Sequence, residues 1–194
     1  MPRIHFRNLV LLFIIFCLGA CGFQVIYKDH KEGNATSYVE ELAAVRIKKN
    51  RTHLDQTLKN NLYDLLNPDY IKVEPKYFLE LKISRTLSST FISSTGASGR
   101  NKVTLLINYE LKNLETAAII SVGSTTVNDN YDVTSNRYGT YSAENYVDAN
   151  LTKIAAQNIR NSLVNDFIET RKKCQFQIKV DKYFLCPLGN KIDR

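Results

Sequence analysis

The residues of this chain that could carry chemistry are few: four cysteines, three histidines, and acids and hydroxyls whose spacing must be weighed against catalytic arrangements. His53 has Asp55 close by, but the sequence places no serine or cysteine nucleophile near it, as covalent catalysis requires. Glu40 and Glu41 lie side by side in a polar lead-in and read as a solvated charge run. There is no Gly-x-Ser-x-Gly elbow and no glycine loop to cradle a phosphate. A metal site is not expected, because neither His30 nor His53 has a ligand-spaced neighbour. The expectation is a protein with no catalytic residue, no metal and no cofactor, and not an enzyme.

The cysteines are better placed. Arg3, His5 and Arg7 form a basic head, Leu9 to Leu18 is an almost unbroken apolar run, and Leu18-Gly19-Ala20-Cys21 closes it. Spanning a bilayer takes about 20 apolar residues, so this run is too short to be a stable span. A basic head, a short apolar run and small residues at its end make a secretory signal. The cysteine directly after the small residues resembles the bacterial lipobox, in which the thiol receives a diacylglycerol before the leader, residues 1–20, is cut away. Each buried methylene contributes about 0.8 kcal/mol and one chain alone anchors marginally, so a multiply acylated Cys21 is a firm membrane anchor. The same segment also suits an ordinary secretory signal with an incidental cysteine, or an uncleaved anchor. Cys17 leaves with the leader. Cys174 and Cys186 remain, an even pair in what should be an oxidising compartment. They could close a disulfide loop over the C-terminal tail, and separation in sequence leaves this open because it does not fix the Cα distance.

Removing Arg3 and Arg7 with the leader lowers the net charge from +7 to +5. A hydrophobic content of 44% is enough for one domain with a real core. The positive balance suggests an anionic partner. Outside the cytoplasm nucleic acid is not expected, and anionic lipid headgroups or a phosphorylated glycolipid fit better. A merely solvated basic surface is the bland alternative.

The elements that must position these residues follow from periodicity. Gly22 to Tyr38 reads as a tether and loop, and Leu42 to Lys48 as a first strand. Leu54, Leu58, Leu62, Leu65 and Leu66 fall on one face of a helix that Asn67-Pro68 ends. Leu79, Leu81 and Ile83 alternate with polar residues along Tyr77–Ile92, and Val103, Leu105, Ile107, Tyr109 and Leu111 alternate along the clearest strand. Lys112 to Glu115 is a turn, Ala118–Val127 a fourth strand, and Asn128–Tyr141 a polar loop. Leu151, Ala155, Ile159, Leu163 and Phe167 recur every fourth residue in a long helix from about Ala143 to Arg171, with Ser142 near its start as a cap. The order β-α-β-β-β-α predicts an α+β two-layer sandwich, a four-stranded mixed sheet with two helices on one face. Residues 1–20 are then the leader, 21–40 the lipidated tether, 41–173 the domain and 174–194 a C-terminal tail.

Cys21-Gly22-Phe23-Gln24 followed by Tyr27 resembles the mature opening of the lipopolysaccharide-assembly lipoproteins of the LptE type, with Val25-Ile26 where that family usually carries Pro-Leu. The Arg100–Leu111 strand with Tyr109-Glu110-Leu111 is similar to that family's central strand, and Tyr131–Ala149 to its last loop and helix entry. The resemblance implies two helices against a four-stranded sheet. It also implies a place in the periplasmic leaflet of the outer membrane, where the protein plugs the lipopolysaccharide-export β-barrel of the LptD type, aids its assembly and binds lipopolysaccharide. Gly22, rather than Asp, after the lipidated cysteine is similar to the outer-membrane sorting rule. Lipopolysaccharide phosphates would be met by cations, with Arg85, Arg100, Lys102 and Arg137 as candidates at strand ends and loops. The Ser/Thr-rich hairpin Ser88–Ser98 and the loop Asn128–Tyr141 would meet the barrel wall. The alternative is a lipid-binding accessory lipoprotein of another envelope transporter.

Overall fold

The computed structural model describes residues 35–48, 52–92, 98–180, 186 and 188 of the chain. The leader, Cys21 and the tether up to residue 34 lie outside the described residues. The chain divides into two compact units, Met1–Thr36 and Ser37–Arg194, and the second carries the fold. Its elements are α1 (Ala35–Ala43), β1 (Val45–Ile47), α2 (His53–Leu66), β2 (Tyr77–Ile92), β3 (Ser98–Asn113), β4 (Ile119–Asp132) and α3 (Arg137–Val180).

The sheet order is β1-β2-β3-β4. β1 pairs with β2 in parallel, and α2 makes the crossover between them. The hairpins β2-β3 and β3-β4 are antiparallel. In β3 every odd residue from Val103 to Asn113 is buried, and the register sets Leu79, Leu111 and Ser121 in one row and Ile83, Ile107 and Thr125 in another. That face carries the helices. Leu58, Leu62 and Leu66 of α2 and Leu151, Ala155, Ile159, Leu163 and Phe167 of α3 join the strands in one core. Phe167 packs on Tyr77 with ring centroids 5.1 Å apart. The fold is thus the expected α+β two-layer sandwich. The even residues of β3 form an open face of polar side chains around Leu106.

Several boundaries differ from the sequence reading. A helix, α1, occupies Ala35–Ala43, where a tether and loop were expected, and β1 shrinks to three residues. β4 runs on to Asp132 because the alternation continues through Val127 and Tyr131, both buried. The loop expected over Asn128–Tyr141 therefore reduces to a short turn. Asn136 caps α3 by accepting from the backbone N–H of Tyr138 at 3.0 Å, so the helix starts ahead of Ser142. α3 also passes Arg171 and reaches Val180, into the segment read as a tail. Cys174 lies on this helix, bonded to Cys186 with Cα atoms 5.5 Å apart, and Leu188 packs against the core just beyond. At the β4 start a bulge leaves Ile119 exposed while Ile120 turns toward the core.

Glu41 is not part of a solvated run. It pairs with Arg171 of α3, the two side chains being only 15% and 16% exposed, and ties α1 to the end of the sandwich. Burial raises the Glu41 carboxyl above its ordinary value, against the opposing pull of Arg171.

Two outcomes are expected. Phe167→Ala should cost about 3–5 kcal/mol and lower the melting temperature sharply, whereas Leu106→Ala on the open face should change it little. Equal effects would place the core elsewhere. The raised Glu41 pKa means the folded chain binds this proton more tightly than the unfolded one, so stability falls as pH rises through the range just above the ordinary carboxylate value. Urea midpoints measured from about pH 5 to about pH 7 should therefore decline more steeply in the wild type than in Glu41→Gln. Parallel profiles would assign the slope to another group.

Candidate functional site

Three of the four cations proposed for phosphate lie toward one end of the sandwich, and the fourth serves another purpose. Arg85 sits on the helix-bearing face of β2. Its Nη2 donates to Glu144 at 2.6 Å and its Nε to both oxygens of Asp148, at 3.0 and 3.1 Å. Burial alone would lower its pKa, but the bonds it donates to Asp148 and Glu144 outweigh that and keep it charged. The side chain is 27% exposed and bolts the first turns of α3 to the sheet. Losing it would strand two carboxylates, a costlier event than losing a surface charge.

Arg100 and Lys102 project from the opposite, open face of β3, two residues apart and therefore side by side. The register places Arg100 beside Asp132, and Nε donates to its carboxylate at 2.7 Å. That bond is the main reason the Asp132 carboxyl stays below its ordinary range. Both partners are more than half exposed, so the pair adds little stability and can exchange partners readily. Lys102 stands between Ser88 and Asn130, and among the described residues no acid forms an ion pair with it or with Arg137. Arg137 is exposed at the first turn of α3, a few residues beyond the end of β4.

Beside Arg100 lies an open depression of about 670 Å³ lined by Thr90, Phe91, Gly99, Arg100, Asn130 and Asp132. The register shifts around Phe91 swing its ring onto the open face, where it is 60% exposed and lies against Gly99. A Cβ at Gly99 would stand 2.7 Å from that ring, so only glycine leaves the ring where it is. The end therefore offers an apolar ring, a hydroxyl, an amide and a guanidinium held close to one carboxylate. Such a surface can bind an anion that carries apolar or sugar-like bulk. The sequence reading singled out Arg100 for phosphate and had Phe91, Asn130 and Asp132 only within the two segments expected to meet the barrel wall. Asp132 becomes visible as a partner only once β4 is carried past Val127.

Two other polar pairs serve the fold. Asp55 and Thr52 exchange hydrogen bonds in the capping box of α2, at 3.3 and 3.1 Å, so Asp55 does not orient His53. The Ser121 hydroxyl donates to Asp166 and links β4 to α3. Among the described residues no group of three metal-ligating side chains occurs, and no helix is long and apolar enough to cross a membrane.

No protein-family model and no curated protein matches the sequence. The fold, in contrast, has solved counterparts. It is similar to that of a candidate lipoprotein of Caulobacter crescentus, with a TM-score of 0.55 and 16% identity, over 67% of this chain and 95% of that one. It is also similar to the rare lipoprotein B of Shewanella oneidensis, with a TM-score of 0.51 and 13% identity, over 66% of this chain and 96% of that one. At such identities the likeness is one of fold, and it shows that this chain is built on an architecture also found in proteins described as lipoproteins.

Proposed function

We propose that the protein is a non-enzymatic outer-membrane lipoprotein, acylated on Cys21 and facing the periplasm, that plugs the lipopolysaccharide-export β-barrel, aids its assembly and binds lipopolysaccharide. The observation that carries the reading is a conjunction. A Leu-Gly-Ala-Cys sequence closes a short apolar run, and the chain behind it folds like rare lipoprotein B of S. oneidensis. The open depression lined by Arg100, with Lys102 and Arg137 toward the same end of the sandwich, supports the lipid part, since phosphate favours guanidinium and ammonium donors. The exposed Tyr138 and Tyr141 at the start of α3 support a wet contact with a barrel wall, because tyrosine offers broad contact area at low entropic cost.

Co-purification tests the partner. A C-terminally tagged chain drawn from outer membranes in mild detergent should bring one large β-barrel in equal amount. An inner-membrane transporter, or no stoichiometric partner, would sink the plug and leave the accessory reading. The lipid contact has its own test, on soluble protein with Cys21→Ser. Lys102→Glu combined with Arg137→Glu should weaken lipopolysaccharide binding roughly tenfold or more with an unchanged melting temperature. Arg85→Ala should instead lower the melting temperature, and wild-type affinity in the double variant would remove these cations from the site.

A further inference from the structure

Among the described residues β4 ends the sheet, with no strand beside its outer edge. Protein edges are normally blunted by shortness, lysine, proline or inward charge. The opposite edge obeys this rule, being three residues long with Arg46 at its centre. β4 does not. From Ile119 to Asn128 it carries neither charge nor proline, and Val122, Thr125, Thr126 and Val127 give it the composition of a strand that pairs well.

The edge also has a roof. Asn158 of α3 donates to the Thr125 hydroxyl at 3.3 Å, and Asp166 accepts from Ser121, so one row of α3 runs above β4. Ile154 and Ser162 lie on that row, one turn to either side of Asn158. A second copy bearing its own α3 would bring two helices closer than the 8–10 Å that packed helices need. Charge narrows the choice further. Asp129 and Asp166 lie on the helix side at opposite ends of the edge, and among the described residues neither forms an ion pair with a cation.

We propose that the β4 edge is a docking site for an extended segment of a partner protein that adds a fifth strand beneath α3. Its chemistry follows from the edge. It has uncharged β-branched residues at its centre and a basic residue near each end, about eight residues apart, one facing Asp129 and the other the Ser121–Asp166 end. The inference goes beyond the barrel reading, because the edge and its two carboxylates are argued without it.

The probe is an eleven-residue peptide of alternating Thr and Val with Lys at its second and tenth positions, mixed with unlipidated, disulfide-intact protein carrying Cys21→Ser. Fluorescence anisotropy should show saturable binding, weakened roughly tenfold when both lysines are replaced by glutamates. Amide hydrogen exchange should slow along Ser121–Asp129 and not at β1. Asp129→Lys should weaken the Lys peptide and strengthen the Glu peptide, a reversal that mere destabilisation cannot produce. The proposal is overturned by no binding at millimolar peptide, by protection elsewhere, by an unchanged preference in Asp129→Lys, or by free protein whose β4 amides are already covered by itself or by a second copy. None of these results bears on whether the barrel co-purifies.

Discussion

The alternation of β3 is the constraint on which the rest of the molecule depends. Val103, Leu105, Ile107, Tyr109 and Leu111 are buried and their even neighbours face water, so a slip of one residue would exchange core for solvent along the whole strand. Because β3 is central and pairs with both β2 and β4, its register fixes theirs. The two helices then have one apolar face to cover. Tyr77 against Phe167 seals one end of that cover, and Arg85 with Glu144 and Asp148 holds the other. Apolar burial is directionless, whereas these polar and aromatic contacts set how far along the sheet α3 lies.

What could be read in advance follows from which signals are local. The core faces of α2, α3, β2 and β3 were legible because their periodicity repeats several times. The far half of β4 was not, since Asn128, Asn130, Tyr131 and Asp132 have the composition of a loop, and only their pairing with β3 makes them a strand. The start of α3 was hidden for a related reason: Asn136 caps it, yet in a run rich in Asn and Tyr it looks like one more turn residue. α1 is short and begins in polar sequence, so little in its pattern separated it from the tether.

The candidate site shows the same division. Arg100 announced itself as a cation at a strand end, but its partner Asp132 is thirty-two residues away and becomes its neighbour only through register. Phe91 lies beyond a register shift, where parity no longer predicts which face a side chain occupies. Arg85 looked like its companions in sequence, and its separate role depends on two acids brought over it by α3. One sheet face thus carries the helices and Arg85 with them, while Arg100 and Lys102 stand on the opposite face.

Gly123 and Tyr109 face each other across β3 and β4, and the tyrosine ring fills the space where a side chain on the glycine would stand. Any larger residue at 123 would collide with that ring unless position 109 became smaller at the same time. The two positions therefore behave as a single hereditary unit. Among descendants of this chain, loss of the glycine should accompany loss of the tyrosine, and a lineage that changed only one of them would carry a sheet pried apart at its middle.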